Sequence, residues 1–559
     1  MKTVFKHIFF LLLSITSLTS IYAQSYTLNI RANDSINSSI LESLNYVEKH
    51  HAKENIINEI DIFSKKLALK GYINNSYSLS QNDTIFNCEF HLNNKIDNVL
   101  IYYQRNSIKD KLLKKISTTY NDTVFEIQTD RIEFVLNTLV NHFENTGASF
   151  SNASLVHLKQ HDNNIIAELD LNISPKRIIN QIVIKGYDQF PKKYIKHHLG
   201  LKRKSIFNLN TIKAVHASLN TIPFISQLKK PEVLFTKDST SLYIYVEKKA
   251  LSSFDGIIGF SNQQNTNKLV FNGFLNLNLN NLFDKGESFG LNWKNNGDDT
   301  ETLHLKIENP YLFNTKFSTL GEFSILKQDS SFVNTKSLLQ VNFNLNKSNS
   351  INTIYSNEKS NTTSNANTLL NISEFKSTFI GLSFNHKLLS SSKNTDQHLN
   401  FEYLRGERIN NSTKNNQEKI KLSAEYLFEL NQKQSILLKN KSELLMGKNL
   451  FQNELYRIGG VNTIRGFDEQ SIFTSKYSIT NIEYQYYTNK ETFLYSITDM
   501  AVIQDEIFNK TSLLFGVGLG YSIASTNSVL NISYAIGKNE GTSFNVKNSR
   551  IHVKITFPF

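Results

Sequence analysis

The second half of the chain alternates between apolar and polar positions over most of its length. The C-terminal segment shows the pattern most clearly, because its apolar residues are Ile551, Val553, Ile555, Phe557 and Phe559. Successive side chains of a β-strand point to opposite faces, so a period of two predicts a strand with one apolar face. About sixteen strands of this kind can be placed between residues 252 and 559.

The connections between these strands differ in length. Those after even-numbered strands are mostly short, such as 431–433 and 524–527, and those after odd-numbered strands are often long and polar, such as 358–375 and 446–476. Membrane barrels have short periplasmic turns and longer extracellular loops. Residues 250–559 are therefore predicted to form a transmembrane antiparallel β-barrel in a bacterial outer membrane, with both termini in the periplasm. After residue 23 the sequence contains no run of eighteen apolar residues, so no transmembrane helix is predicted there.

The first half mixes helical and strand periods in a unit of about 75 residues. Three copies are predicted, at 25–96, 97–173 and 174–249, each with the order strand, helix, helix, strand, strand. The third copy is the clearest, and the first is weak because its opening has no clear pattern. Repeats at a fixed period predict an array of small α+β domains, which would precede the barrel in the periplasm.

Residues 1–23 have the pattern of a secretory signal peptide. Lys2 and Lys6 precede an apolar stretch from Ile8 to Leu13, and Ala23 is a small residue before the expected cleavage point. The chain has one cysteine, Cys88, so it cannot form an internal disulfide. Export without disulfides favours a bacterial envelope.

The remaining composition argues against several functions. The formal net charge is +12, but lysines and arginines are spread along the chain, so no nucleic-acid partner is predicted. No catalytic or cofactor-binding motif is present, and Gly516-x-Gly518-x-Gly520 is not followed by a helix. The histidine pairs at 50–51 and 197–198 are interpreted as surface residues and not as metal ligands, because neighbours in sequence do not share a helix face.

One predicted loop carries an unusual motif. The segment ELYRIGGVNTIRGF lies between the eleventh and twelfth predicted strands and combines two turn glycines with a cation and an aromatic residue. The residues singled out in it are Gly459, Gly460, Ile464, Arg465, Gly466 and Phe467. Together with the signal peptide, the repeats, the barrel and the terminal Phe559, this loop resembles the BamA/TamA outer-membrane assembly superfamily, whose periplasmic units are called POTRA domains. The three units resemble the TamA layout most.

The resemblance implies a position for the loop. In that superfamily the loop folds into the barrel lumen and its arginine contacts acidic groups on strands twelve and thirteen, which correspond here to Glu483 and Asp499. Glu483 alternates with apolar Ile482 and Tyr484, which places it on the luminal face. Alternation alone does not place Asp499 on that face, because its same-parity neighbours Tyr495 and Ile497 are apolar.

Glycines are expected to give the loop room. Gly466 would allow a sharp turn, and Gly516, Gly518 and Gly520 on the luminal face of one strand would allow the close approach of another backbone.

The resemblance also implies a function. It implies a factor that receives unfolded outer-membrane or secreted client proteins through its POTRA domains and inserts them at a seam between the first and last strands. Outer-membrane lipid and periplasmic or inner-membrane accessory proteins would be the other partners. Pro558 departs from the family pattern and cannot donate a ladder hydrogen bond, so the end of the last strand is expected to fray.

Three alternatives remain at this point. A two-partner secretion pore shares the barrel, the POTRA units and a similar loop, but usually has two units and a plug helix, which residues 25–51 could contain. The domain array argues against a passive porin or adhesin, and no site supports an enzyme.

Overall fold

The computed structural model of the protein describes residues 25–32, 35–202, 204–262, 269–295, 300–328, 331–362, 371–388, 397–489, 492–505, 510–524 and 529–556. The predicted signal peptide, Phe557, Pro558 and Phe559 lie outside these residues. No helix in these ranges is long and apolar enough to cross a membrane. The chain divides into two compact units, one up to residue 178 with 206–211, and the other formed by 179–205 and 212–559.

The first unit begins with a small α+β domain. Its sheet has the order β2-β1-β4-β3, with strands β1 (Tyr26–Ala32), β2 (Lys49–His50), β3 (Ser76–Asn82) and β4 (Ile85–His91). Its helices are α1 (Ser35–Glu42) and α2 (Lys53–Leu69). Ile56, Ile60, Phe63 and Leu67 follow the helical period and bury one face of α2 against Leu28. The opening that has no clear sequence pattern is thus an ordered part of this domain.

The second domain contains more strands than predicted. Its elements are β5 (Asn98–Tyr102), α3 (Asp110–Ile116), β6 (Thr119–Tyr120), β7 (Val124–Gln128), α4 (Ile132–Asn145), β8 (Asn152–His161) and β9 (Asn164–Asn172). The sheet order is β6-β7-β5-β9-β8. The prediction of two consecutive helices is therefore wrong here, because β6 and β7 form between them and β7 pairs with β5. Phe125 and Ile127 on β7 alternate inward and are buried in the domain core.

The third domain has the predicted element order. Its elements are β10 (Gln181–Lys185), α5 (Lys192–His197), α6 (Leu209–Leu219), β11 (Ile225–Phe235) and β12 (Thr240–Lys248). The strands lie in the order β10-β12-β11, with β10 parallel to β12. Leu242, Ile244 and Val246 alternate along β12 and are fully buried.

The prediction of a large antiparallel sheet of about sixteen strands is confirmed. Each strand pairs with the next in sequence, apart from the two short strands of one loop described below. The sixteen strands are β13 (Ser253–Asn262), β14 (Leu269–Asn280), β15 (Ser288–Asn295), β16 (Thr300–Asn309), β17 (Phe317–Gln328), β18 (Phe332–Asn344), β19 (Asn349–Thr362), β20 (Phe375–Lys387), β21 (His398–Asn410), β22 (Thr413–Glu429), β23 (Gln434–Gly447), β26 (Lys476–Tyr487), β27 (Phe493–Asp505), β28 (Lys510–Ala524), β29 (Val529–Asn539) and β30 (Ser549–Thr556).

The two faces of this sheet have opposite environments. On β20, Phe379 is 1% exposed, whereas Ile380 and Leu382 are 63% and 59% exposed. Ser377 and Ser383 share the buried side with Phe379. An apolar outer face and a partly polar inner face are the pattern of a barrel that crosses a membrane.

The connections follow the predicted sorting only in part. The longest one joins β23 to β26 and follows an odd-numbered strand, as expected. However, β21 and β22, the ninth and tenth barrel strands, are joined by residues 411–412 alone, while the connection 388–397 follows an even-numbered strand. The connection predicted at 358–375 is also shorter than predicted, because β19 continues to Thr362. The pattern of alternation gives the ends of strands less accurately than their presence.

Candidate functional site in the barrel lumen

The loop between β23 and β26 is an ordered structure with its own short sheet. Strands β24 (Tyr456–Ile458) and β25 (Ile472–Thr474) pair in antiparallel orientation and form its stem. Beyond the stem, Gly459 and Gly460 have φ angles of +113° and +93°. This left-handed backbone is accessible to glycine at little cost, which is why the Gly-Gly pair can start the turn.

Apolar contacts seat this turn against the wall. Ile458 and Ile464 are fully buried in a cluster with Ile479 on β26 and Ala501 on β27. Phe467 packs against the same cluster. The aromatic residue of the motif therefore faces protein and not solvent, and the side chains around Arg465 exclude water from it.

Arg465 is bound by two carboxylates. Its Nε donates to Asp499 Oδ2 at 2.9 Å, and its Nη2 donates to Asp499 Oδ1 at 2.6 Å. Its Nη1 donates to Glu483 Oε1 at 2.6 Å. The side chains of Arg465, Glu483 and Asp499 are 7%, 12% and 0% exposed. We call this arrangement the Arg465 clasp. The planar guanidinium can bind one carboxylate with two parallel bonds and a second with another N–H, which an ammonium cannot do.

Strand alternation places both acids on the inner face. On β26, Glu483 lies between Ile482 and Tyr484, which are each 42% exposed on the outer face. On β27, Tyr495 and Ile497 are buried on the same side as Asp499. Alternation alone could not place Asp499, because these two neighbours are apolar. They are buried in a cluster with Ala535 on β29.

Of the three predicted luminal glycines, one meets the loop. A Cβ atom at Gly516 would collide with the carbonyl oxygen of Arg465. At Gly518 it would meet the backbone of Tyr534 on the adjacent strand, and at Gly520 the ring of Tyr495. The last two glycines therefore accommodate neighbours within the sheet.

Sequence analysis missed a further glycine contact. A Cβ atom at Gly537 on β29 would collide with the carbonyl oxygen of Gly466, and a Cβ atom at Gly466 would collide with the Gly537 nitrogen. The two backbones are too close for any side chain between them. The contact could not be predicted from the sequence, because it depends on the pairing that places Gly537 opposite Gly516 in the sheet.

The loop also reaches the last strand of the barrel. Arg550 on β30 donates from Nε to Asp468 Oδ1 at 2.6 Å and from Nη2 to Asp468 Oδ2 at 3.0 Å. Their side chains are 39% and 65% exposed, so the pair is weaker than the Arg465 clasp. The acidic residues after the Arg-Gly-Phe motif were visible in the sequence, but their partner was not.

The terminal-strand residues lie at the end of the sheet. Ile551 and Val553 are 70% and 61% exposed on β30. The side chain of Ile555 and the whole of Phe557 and Phe559 lie outside the described residues. Within the described part of the chain, β30 pairs with β29 and β13 pairs with β14, and no pairing joins β13 to β30.

The third domain contacts the turn between β16 and β17. His198 Nδ1 lies 3.0 Å from the Tyr311 hydroxyl, and His198 Nε2 lies 2.8 Å from Thr221 Oγ1. Tyr194 packs edge-on against Tyr311 with ring centroids 5.0 Å apart. Burial lowers the pKa of His198 from its ordinary value to about 4, so the ring is neutral at neutral pH. We call this contact the His198 joint.

The interpretation of the histidine pairs as surface residues is only partly right. His198 is half-buried in the joint, and His50 is buried and bonds the Val47 carbonyl oxygen. Among the described residues no group of three or more His, Cys, Asp or Glu side chains is placed to hold a metal ion.

The sequence matches no protein-family profile and no curated protein. Solved structures do match. CdiB from Acinetobacter baumannii has a TM-score of 0.52 and 13% identity, over 82% of this chain and 89% of that chain. CdiB from Escherichia coli has a TM-score of 0.51 and 11% identity, over 82% of this chain and 90% of that chain.

A third match is weaker in geometry. BamA from Haemophilus ducreyi lacking POTRA domains 1–3 has a TM-score of 0.46 and 13% identity, over 82% of this chain and 98% of that chain. On the two CdiB structures, this chain has the CdiB fold. It combines small α+β domains with a β-barrel that has sixteen strands in the described residues.

Proposed function

We propose that the protein is an outer-membrane assembly factor, which inserts β-barrel client proteins into the membrane at the edge formed by β13 and β30. The observation that carries the proposal is a sheet that, within the described residues, has these two strands at its ends, with an anchored loop touching β30 through Asp468 and Arg550. The barrel lies in the outer membrane, and the three α+β domains lie in the periplasm.

Client chains first meet the α+β domains. Strand β3 is an edge of the first sheet, and all its residues are exposed. Strand β8 is an edge of the second sheet, with most of its C-terminal half exposed. An exposed edge offers unpaired N–H and C=O groups to an extended peptide, which can add as a further strand.

The barrel edge then acts as a template. Unpaired backbone groups are costly in lipid, so a client strand that pairs with β13 or β30 gains hydrogen bonds that the membrane cannot supply. The outward Ile551 and Val553 keep the edge compatible with lipid while the client strand adds. No nucleotide is needed, because the client moves downhill in free energy as its backbone becomes paired.

The first domain favours this function over a dedicated secretion pore. Residues 26–32 and 35–42, where a plug helix could have been placed, form β1 and α1 of that domain. Leu28 and Leu41 lie in its core. Three domains, with this segment folded into the first, support the assembly factor.

The test is quantitative proteomics of the outer membrane after conditional depletion of the protein. We expect a broad loss of β-barrel proteins, restored by the wild-type chain and less well by Arg465→Ala. Arg405→Ala, on the exposed outer face, is the matched control and should restore fully. Loss of a single secreted protein with other barrels intact would overturn the proposal in favour of a secretion pore.

A further inference from the structure

The loop has a second set of buried contacts, made by its first arm, residues 448–455. This arm lies before the stem and carries none of the six residues singled out in the motif, although Glu454 is the first residue of the motif segment. Its contacts fall on β18 to β22, whereas Arg465 and the residues just after it contact β26 to β30. The loop thus touches two separate stretches of the barrel wall.

The centre of the first set is an ion pair between Arg408 on β21 and Glu454. Their side chains are 1% and 3% exposed, and Arg408 Nη1 donates to Glu454 Oε1. Gln417 Nε2, on β22, donates to Glu454 Oε2 at 2.8 Å. The nitrogen of Phe451 donates to Glu454 Oε1 at 2.6 Å. The carboxylate therefore has partners on the wall and on its own arm.

Arg408 in turn holds the backbone of the arm. Its Nη1 donates to the Asn449 carbonyl oxygen at 2.9 Å and its Nη2 to that of Lys448 at 3.0 Å. The guanidinium lies over the Phe451 ring, 4.3 Å from its centroid. A cation enclosed in this way by a carboxylate, two carbonyl groups and an aromatic face is a built site and not a chance surface contact.

Neighbouring polar contacts extend the attachment. Asn453 Nδ2 donates to Ser360 Oγ at 2.7 Å and to the Ser373 carbonyl oxygen at 2.8 Å. Asn334 Nδ2 donates to the Asn453 carbonyl oxygen at 2.5 Å. Asn453 is 3% exposed, and Ser360 beneath it is 1% exposed.

We propose that Arg408 and Glu454 are positioning residues, which form a second clasp that holds the first arm of the loop independently of the Arg465 clasp. The two clasps share no residue, and the stem β24–β25 lies between them in the chain. The loop is then a tie between two stretches of wall, and it leaves the lumen only when both clasps open. The inference goes beyond the proposed function, because it holds whichever client the barrel serves.

The test measures the opening of the first arm and of the tip of the loop, residues 459–471, in the full-length protein with Cys88→Ser, so that the native thiol is absent. Ser360→Cys places a thiol beneath the first arm, and Ala501→Cys places one in the apolar cluster that holds the tip. Each thiol is labelled with a maleimide in folded protein, and the labelling rate follows the open population.

We expect Glu454→Gln to raise labelling of the Ser360→Cys thiol about tenfold, since hydrogen bonds to a buried charge are lost. Labelling of the Ala501→Cys thiol should stay within about twofold of its starting rate. Arg465→Lys should give the reverse pattern. Glu469→Gln makes the same chemical change at an exposed position of the same loop and should alter neither rate.

Two results would overturn the second clasp. One is an unchanged rate at the Ser360→Cys thiol in Glu454→Gln, and the other is an equal rise at both thiols in either clasp variant, which would make the loop a single unit. If Glu454→Gln gives no heat-modifiable folded barrel, Arg408→Lys replaces it. This variant keeps the charge but loses the bonds to Lys448 and Asn449, and the same two results decide.

Discussion

Asp499 accepts three hydrogen bonds from Arg465, two from the guanidinium and one at 2.9 Å from the backbone nitrogen. The carboxylate thus fixes the backbone of the loop as well as its side chain. A lysine at 465 would keep the charge but could not donate two parallel bonds to Asp499. Gly466 follows directly, and its φ of +89° lets the chain turn immediately after the anchored residue.

Removing the arginine should destabilise the barrel. Arg465→Ala leaves Asp499 and Glu483 buried without their cation, so we expect the free energy of unfolding to fall by about 3–5 kcal/mol. Urea titration in detergent, followed by the fluorescence of Trp293, the only tryptophan, measures this change. Arg405→Ala on the outer face is the control, and a loss equal to that of Arg465→Ala would argue against the clasp.

Adding a methyl group between the loop and β29 should displace the loop. Gly537→Ala forces a collision with the Gly466 carbonyl oxygen, and we expect a loss of about 1–3 kcal/mol from overpacking. Gly321→Ala on β17 makes the same change where nothing lies within 4 Å, so it should be nearly neutral. The same urea titration compares the two variants, and equal losses would show that the close approach is not tight.

Breaking the pair between the loop and the last strand should act locally. Asp468→Asn removes an exposed ion pair with Arg550, so global stability should fall by no more than about 1 kcal/mol. Amide hydrogen exchange in β30 should become faster, because this strand has one pairing neighbour in the described residues.

A charge exchange provides the control for this pair. The double variant Asp468→Arg with Arg550→Asp should return exchange in β30 toward the wild-type rate. Glu407→Gln removes another exposed pair, with Lys414, far from β30 and should leave that exchange unchanged. If Asp468→Asn leaves amide exchange in β30 at the wild-type rate, that result would contradict a restraint by the loop.

The His198 joint should weaken in acid. The pKa of His198 in the folded protein is lowered to about 4, below the ordinary value of 6.5, so His198 binds a proton more readily in the unfolded state. Stability from this group is complete above pH 6.5 and is lost as the pH falls toward 4, by at most about 3 kcal/mol. Thermal unfolding at a series of pH values measures the effect.

His198→Gln tests the source of that pH dependence. The variant cannot titrate, so its unfolding temperature should vary less between pH 6.5 and pH 4. His161→Gln removes an exposed histidine and should retain the wild-type pH profile. A wild-type profile in His198→Gln would assign the effect to other groups.

Much of the barrel could be read from the sequence, because alternation is a local property of each strand. The number of strands and the place of the loop between the eleventh and twelfth followed from it. The pairing of Arg465 with Glu483 and Asp499 required the family resemblance, since nothing local connects a loop to strands further along the chain. The added hairpin β6–β7 was missed because two short strands leave too few residues for a periodic signal.

Local sequence specifies which faces of the strands are apolar, where the chain turns at glycine, and that the loop carries a cation, because these are properties of neighbouring residues. The contacts of Arg408 with Glu454, of Arg550 with Asp468 and of Gly537 with Gly466 arise only in the folded chain. The sheet and its loop bring together residues that are distant in sequence. Burial strengthens the ion pair of Arg408 with Glu454, and the close approach at Gly537 leaves room only for glycine.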